Sequence, residues 1–227
     1  MKAFWQQIPS VEITRLYCNT NFDAVVLDLE HGVFNNETLF SLIQLINASN
    51  KLSFVRVTEP FKSQIRLLLD SNVSGIIFST LEIEQTSKIK EWCLYPPYGR
   101  RGQGLVSENN WGDDKLQFNK VKLVAQIENK ESISQLSNIV KTDLFDYYVL
   151  GPYDLTADLC CVADWENKKY LELIEKFNNV IPTEKRGVHI VSDIENEYKN
   201  KFKNYGFVAL GMDTTIINSG IKNLESL

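Results

Sequence analysis

The chain has 227 residues, of which 44% are hydrophobic and 23% charged, and its formal net charge is −5. This length and composition suit a globular protein with a sizeable core and exclude a disordered chain. The negative charge argues against a nucleic-acid-binding protein, which is usually basic. The sequence contains neither a start typical of a signal peptide nor 18 consecutive apolar residues, so we expect no secretion and no membrane span.

The cysteines indicate the redox environment. There are four, Cys18, Cys93 and the adjacent pair Cys160 and Cys161. Their spacing is typical of neither a zinc site nor a disulfide framework. We therefore expect reduced thiols and a cytoplasmic location.

Short apolar runs alternate with helical patterns along the chain. The predicted strands cover residues 3–8, 23–28, 52–57, 75–78, 121–128, 145–150, 186–191 and 207–210. The predicted helices lie near 11–19, after Asn35 and Asn36, from Pro60 through Leu69, at 82–92, 130–140, 155–161, 166–179 and 194–205, and, as a short helix, after Thr215. This alternation predicts an α/β fold, a single (βα)8 TIM barrel over residues 1–227. A doubly wound open sheet is the alternative, although no GxGxxG follows any predicted strand.

The regular pattern breaks between residues 95 and 120. This stretch begins as a loop rich in glycine and arginine, in which Arg100 and Arg101 stand between glycines. The two arginines could hold an anionic group, but no helical pattern follows that would make the segment a P-loop. A loop of this length is usually functional or part of an interface. An irregular surface excursion is the alternative.

Polar side chains follow several predicted strands. In a barrel the carboxyl ends of all strands meet at one face, so residues distant in sequence become neighbours there. The candidates are Asp28, Glu30, His31, Arg56, Gln126, Glu128 and Asp154. For the stretch at residues 24–32, the alternative is a strand that leaves a polar turn on the protein surface.

Two of these candidates are carboxylates on adjacent strands. Glu128 and Asp154 would repel each other unless a divalent cation lay between them. With waters and a chelating substrate they suit Mg²⁺ or Mn²⁺ better than Zn²⁺, since no cysteine or second histidine is at hand. His31 is the best general base by position and chemistry. His189 falls inside the seventh predicted strand, where we expect a packed or surface histidine.

Five segments in register resemble the HpcH/HpaI aldolase family of pyruvate-dependent class II aldolases. They are residues 27–32 (LDLEHG), 95–97 (YPP), 126–128 (QIE), 151–155 (GPYDL) and 211–215 (GMDTT), and the match runs from about Trp5 to Ile217. The resemblance implies a pyruvate/phosphoenolpyruvate-type TIM barrel that uses Mg²⁺, Mn²⁺ or a similar divalent ion such as Co²⁺. It implies cleavage of a 4-hydroxy-2-oxo acid to pyruvate and an aldehyde, or the reverse condensation.

The resemblance also assigns roles to individual residues. Glu128 and Asp154 match the metal ligands, His31 matches the base, and Arg56 matches the residue that stabilises the enolate. The remaining assignments are a pyruvate contact for Gln126, carboxylate-binding backbone N–H groups for Tyr153 and Asp154, and a pocket-lining tryptophan for Trp5. Asp70 aligns with the acid that pairs with the histidine, although simple barrel topology places the end of the third helix opposite His31.

Other properties of the family are less directly mapped onto this chain. Its members form homo-oligomers, commonly hexamers, and act on small molecules. Tyr153 stands where the family usually has alanine or serine, and Cys160 to Asp164 replace a loop with glycine and proline. These departures cluster where the aldehyde would lie. Two alternatives remain: another lyase with the same site, such as an oxaloacetate decarboxylase or a citrate-lyase-like acyl-CoA lyase, and a non-catalytic barrel subunit.

Overall fold

The computed structural model describes residues 1–79, 81–115 and 120–227. Its strands are β1 (Lys2–Gln6), β2 (Ala24–Asp28), β3 (Leu52–Val57), β4 (Gly75–Phe78), β5 (Lys122–Ile127), β6 (Tyr147–Leu150), β7 (Arg186–Ile190) and β8 (Phe207–Met212). Each strand pairs in parallel with the next, and β8 pairs with β1 to close the barrel. The predicted (βα)8 barrel is therefore confirmed, and the open-sheet alternative is wrong.

Helices connect the strands on the outside of the barrel. In the described residues they are α1 (Val11–Cys18), α2 (Asn36–Ala48), α3 (Lys62–Asp70), α4 (Thr86–Cys93), α5 (Lys130–Lys141), α6 (Pro152–Asp158), α7 (Lys168–Val180), α8 (Ile194–Glu197) and α9 (Asp213–Glu225). Asparagines cap three of them: Asn35 accepts a hydrogen bond from the Thr38 N–H at 2.8 Å, Asn129 accepts one from Ser132 at 2.7 Å, and Asn167 accepts one from Lys169 at 3.1 Å. Such N-caps satisfy backbone donors that have no partner inside the helix.

Several predicted bounds differ from the structure. The helix predicted at 194–205 consists of the four-residue α8 followed by a π-helical stretch, Tyr198–Phe202. The final helix, expected to be short, has 13 residues. The segment predicted as a long loop contains a 3₁₀ stretch at Ser107–Gly112, and residues 116–119 of that loop lie outside the described residues.

The barrel interior is built in layers because side chains alternate across each strand. A buried apolar layer consists of Ala3, Trp5, Ala24, Val26, Phe54, Ile77, Val124, Val149, Phe207 and Ala209. Two residues further along three of these strands, the interior positions hold Asp28, Arg56 and Gln126, each almost fully buried. The apolar layer therefore supports a polar layer at the carboxyl ends of the strands. No helix in the described part of the chain combines the length and hydropathy needed to cross a membrane.

Candidate active site

A cleft of about 420 Å³ opens at the carboxyl ends of the strands. Its walls are formed by Gln7, His31, Arg56, Gln126, Gly151, Pro152, Tyr153, Asp154, His189, Val191, Met212 and Thr215. A larger cavity of about 550 Å³ lies beside α3 and contains Asp70, but none of the other predicted site residues lines it. The chemistry of the polar residues favours the smaller cleft as the active site.

Arg56 is fixed at the floor of this cleft by a buried carboxylate. Its Nε donates to Asp28 Oδ1 at 2.8 Å and one terminal nitrogen donates to Oδ2 at 2.6 Å, a bidentate pair. The other terminal nitrogen lies 2.7 Å from Glu30 Oε2. Such fork geometry holds the guanidinium in one orientation. Arg56 thus presents its charge to the cleft without freedom to swing away.

Asp28 is charged because its partners outweigh its burial. Burial favours the neutral carboxyl, but the hydrogen bonds and charge of Arg56, with hydrogen bonds from Trp5 and Gln7, hold its pKa below the ordinary value. The Trp5 indole N–H donates to Oδ2 at 3.1 Å and the Gln7 amide donates to it at 3.3 Å. Both carboxylate oxygens accept hydrogen bonds from protein groups, so Asp28 positions Arg56.

Trp5 forms the platform beneath the cleft. It is fully buried, and the Arg56 guanidinium lies 5.0 Å from its ring centroid. The His189 ring stacks on the same indole with centroids 4.0 Å apart. Trp5 is therefore placed as a support for two cleft residues and is not itself among the residues that line the cleft.

His31 follows β2 in a turn anchored by Asp28. The His31 N–H lies 3.4 Å from Asp28 Oδ1, the Glu30 N–H donates to the same oxygen at 3.0 Å, and the His31 side chain is exposed at the edge of the cleft. Gly32 makes the turn sterically feasible, because a Cβ there would come within 2.4 Å of the Asp28 carbonyl and 2.6 Å of the Gln7 carbonyl. The turn therefore fixes the backbone of His31 while its ring remains accessible.

Gln126 lines the cleft, and the buried Glu128 lies beside it. Gln126 Nε2 donates to Glu128 Oε2 at 2.6 Å, and both residues are buried. The amide oxygen of Gln126 is buried without a hydrogen-bond partner in the described residues. Gly151 lets β6 approach this pair, because a Cβ there would lie 3.0 Å from Glu128 Cβ and 3.2 Å from Gln126 Nε2. A buried acceptor without a donor beside a glycine indicates space shaped for a ligand.

Asp154 and Tyr153 lie in the first turn of α6, on the rim of the cleft. Asp154 is exposed. The Tyr153 hydroxyl donates to Ser192 Oγ at 3.1 Å, and its ring packs edge-on against Trp165 with centroids 5.1 Å apart. The tyrosine ring is thus held against the β7 side of the rim, and its hydroxyl group is already hydrogen-bonded to Ser192.

The donors present fit a divalent cation in kind. Glu128 and Asp154 supply two carboxylates, and a hard cation such as Mg²⁺ takes few protein oxygens and keeps several waters. The unpartnered Gln126 oxygen and the close approach at Gly151 favour a ligand at this position. The described residues contain no group of three or more histidine, cysteine, aspartate or glutamate side chains that could hold a metal. An ion here would therefore depend on water or substrate for its remaining ligands.

Asp70 lies apart from these residues. It pairs with Arg101 at 3.1 Å, and Arg101 also binds Glu108 while its guanidinium sits 4.5 Å from the Tyr95 ring centroid. Among the described residues no hydrogen bond or ion pair joins Asp70 to His31. Within one chain Asp70 therefore anchors the segment that follows α4, and its pairing with His31 stays a prediction.

The structure adds cleft residues that the sequence did not single out. Gln7, Met212 and Thr215 line the cleft, and His189, expected to be packed or on the surface, lies partly buried in its wall. Alternation along β7 could have found His189, because Gly187, two residues earlier, faces Val149 and Phe207 of the interior layer. Burial and the nearby Arg56 charge lower the pKa of His189 to about 3, so its imidazole is neutral.

Comparison with known proteins identifies the family of this barrel. The model of the HpcH/HpaI aldolase/citrate lyase family matches residues 4–219. The chain belongs to this family. A relative from Salmonella dublin, named 4-hydroxy-2-oxo-heptane-1,7-dioate aldolase, is 27% identical over 234 aligned positions, which cover 99% of this chain and 88% of the relative. This HpcH/HpaI protein is therefore an enzyme with lyase activity, of the aldolase type.

Solved structures share the fold. An HpcH/HpaI aldolase from Desulfitobacterium hafniense superposes with a TM-score of 0.84 at 20% identity, covering 100% of this chain and 92% of that one. The citrate synthase SbnG superposes with a TM-score of 0.84 at 22% identity, covering 99% and 91%. At such identities the likeness concerns the barrel alone. The family assignment supports the resemblance drawn from the five sequence segments.

Proposed function

We propose that this enzyme cleaves a 4-hydroxy-2-oxo acid to pyruvate and an aldehyde, and catalyses the reverse condensation, with the help of a divalent cation. The observation that carries the proposal is the fixed Arg56 guanidinium in a cleft that Gln126 and Gly151 also line, with the buried Glu128 hydrogen-bonded to Gln126 beside them. Such a cleft offers a cation and hydrogen-bonding groups to the two oxygens of a 2-oxo acid.

Arg56 would act at the oxygen that gains charge. Cleavage breaks the C3–C4 bond, and its electron pair passes into the pyruvate enolate, whose C2 oxygen becomes negative. A guanidinium already oriented by Asp28 stabilises this charge without reorganising in the reaction. The same contact explains why a buried carboxylate is kept beneath the cleft.

Glu128 and Asp154 would hold the divalent cation. When bound there, the cation withdraws electrons from the 2-oxo acid and so makes its C3 protons more acidic. Gln126 keeps Glu128 in place through its 2.6 Å hydrogen bond and directs its amide oxygen to the site. The first-turn N–H groups of α6 at Tyr153 and Asp154 have no partner inside the helix and suit the substrate carboxylate.

His31 would move the protons. Its ring takes the proton of the 4-hydroxyl as the C3–C4 bond breaks, the aldehyde leaves, and a proton returned to C3 of the enolate completes pyruvate. An imidazole suits both transfers because one ring nitrogen can accept a proton and later return it. The exposed position of His31 at the cleft edge leaves its ring open to a substrate.

The exchange of methyl protons of pyruvate for deuterium tests this proposal directly. The reaction needs no aldehyde, so it isolates enolate formation from the identity of the acceptor. We expect exchange in D₂O with Mg²⁺ or Mn²⁺, and its loss with EDTA and in His31→Asn, measured by proton NMR. Glu131→Gln, which changes an exposed acid on α5, is the control. A folded enzyme that shows no exchange with any divalent cation would refute the proposal.

The proposed pairing of Asp70 with His31 has its own test. Asp70→Asn should release one partner of Arg101 while Glu108 still binds it, so we expect a stability loss of about 1 kcal/mol. If Asp70 also couples to His31, the pH profile of pyruvate exchange will shift in this variant. An unchanged profile would restrict Asp70 to anchoring Arg101.

A further inference from the structure

His189 is a cleft residue to which the proposed reaction gives no role. Its ring stacks on Trp5, and its Nε2 lies 3.3 Å from the Gly211 carbonyl oxygen. Gly211 has a φ of +71°, within β8 at the point where the pairing with β1 shifts register. Glycine adopts this conformation readily. The imidazole is thus held by stacking and by one hydrogen bond.

The Gly211 contact decides which nitrogen carries the proton. A carbonyl oxygen only accepts, so Nε2 must donate and carries the hydrogen. In the neutral ring Nδ1 is then a bare acceptor. No hydrogen bond from the described residues reaches Nδ1. Nδ1 is also not among their fully buried polar atoms without a partner, so this nitrogen is accessible from outside the core. Nδ1 is therefore available to a group in the cleft.

The chemistry of a 2-oxo acid limits what can meet Nδ1. The substrate carboxylate and the C2 oxygen are acceptors, so a bare nitrogen would repel both. Arg56, which shares the Trp5 platform with His189, and the α6 backbone are better partners for those oxygens. The C4 hydroxyl of the cleaved acid is assigned to His31, so the carbon that remains is C3, and a hydroxyl on C3 can donate to Nδ1.

We propose that His189 is a specificity-determining residue that selects a 2-oxo acid donor with a hydroxyl on C3, the class of 3-hydroxypyruvate, over donors with an apolar C3 substituent. This inference rests on the proposed function, since it assumes that a 2-oxo acid occupies the cleft. Sites built to bind a substrate hydroxyl discriminate through the polar group left unpaired when the hydroxyl is missing.

The test compares two donors of similar size. 3-Hydroxypyruvate carries a hydroxyl on C3 and 2-oxobutanoate carries a methyl group there. We expect kcat/KM for deuterium exchange at C3 to favour 3-hydroxypyruvate by roughly tenfold, the order of one neutral hydrogen bond. His189→Leu should abolish or reverse this ratio, whereas His189→Asn, which keeps an acceptor oxygen, should retain part of it. Ser192→Ala, beyond the same strand, is the control and should keep the ratio. Reactions without enzyme correct for spontaneous exchange.

A second readout does not depend on turnover. The chain has only two histidines, so His189→Leu assigns the His189 signals in a ¹⁵N NMR spectrum. We expect a protonated Nε2 and a bare Nδ1 whose shift moves when 3-hydroxypyruvate and Mg²⁺ are added, but not with 2-oxobutanoate.

The outcomes separate this inference from the proposed function. The role of His189 would be overturned if wild type and His189→Leu gave the same ratio of kcat/KM for the two donors, or if the Nδ1 chemical shift did not change with 3-hydroxypyruvate. Pyruvate exchange would be unaffected by either result. If wild type exchanges no pyruvate protons, the proposed function fails. The nitrogen shifts still decide whether His189 binds a C3 hydroxyl.

Discussion

The two sides of the cleft differ in how completely their polar groups are satisfied. On the β1–β3 side, Asp28 is surrounded by donors from Trp5, Gln7 and Arg56. On the β5–β7 side, no described residue donates a hydrogen bond to the Gln126 amide oxygen or to His189 Nδ1. The buried Asp28 carboxylate on the first side is hydrogen-bonded without a ligand, whereas the two acceptors on the second side are not. The β1–β3 side therefore supplies the fixed charge of Arg56, and the β5–β7 side supplies acceptor atoms that a cation or substrate can bind.

Removing the fixed charge should have the largest effect. Arg56→Leu leaves the Asp28 carboxylate buried without its counter-charge, so we expect a loss of about 3–5 kcal/mol in the free energy of unfolding, measured with urea. Pyruvate exchange should fall by at least roughly a hundredfold, the cost of one lost oxyanion donor. The exposed Arg15→Leu is the control.

A double variant separates the two effects. Adding Asp28→Asn to Arg56→Leu removes the buried negative charge that has lost its counter-ion. This should restore part of the free energy of unfolding without restoring pyruvate exchange. If pyruvate exchange returned together with stability, Arg56 would be a structural residue only. The fixed charge on the β1–β3 side of the cleft would then not be needed for catalysis.

On the β5–β7 side, Glu128→Gln should weaken cation binding and pyruvate exchange while the protein stays folded. The amide has nearly the same size and can still accept from Gln126, so the melting temperature in EDTA should stay close to that of wild type. A cation that binds the folded state raises the melting temperature, and we expect Mn²⁺ to do so for wild type but not for this variant. Exchange should fall by roughly a hundredfold. A variant that Mn²⁺ stabilises as well as wild type would exclude Glu128 as a ligand.

The neutral His189 predicts a pH dependence of stability. Its folded pKa of about 3 lies below the ordinary value of 6.5, so the unfolded chain binds the proton more readily between these values. Stability should therefore fall as the pH is lowered from about 6.5 towards 3, by up to about 1.4 kcal/mol per pH unit from this one group. His189→Leu should flatten that slope in urea unfolding at pH 4.5, 5.5 and 7. An unchanged slope would mean that His189 is already charged in the folded enzyme.

Tyr153→Phe should have the smallest effect. The variant removes the hydrogen bond to Ser192 on the rim but keeps the ring against Trp165. We expect a loss of about 0.5–1 kcal/mol in the free energy of unfolding and less than roughly a twofold change in pyruvate exchange. A large loss of pyruvate exchange would show that the phenol group contacts the substrate and that this part of the rim takes part in catalysis.

Much of the barrel could be read from the sequence, because each strand is a short apolar run and each is followed by a helical pattern. The polar residues that end β2, β3 and β5 were identified for the same reason, since they interrupt apolar runs. The sequence predicted a packed or surface histidine at position 189 but not its place in the cleft wall, because a single histidine within a strand looks the same whether it faces the helices or the interior. The bounds of α8 and α9 were missed because helix ends depend on contacts that a sequence pattern does not contain.

The sequence by itself determined the alternation of strands and helices, the family resemblance and the set of polar groups at strand ends, since these depend on local order along the chain. Only the tertiary structure decided which of those groups meet. Barrel closure and strand register bring Asp28 to Arg56 and His189 to Trp5, and within the chain Asp70 pairs with Arg101. Partners separated by between 28 and 184 positions are chosen by register, and register is a property of the closed sheet as a whole.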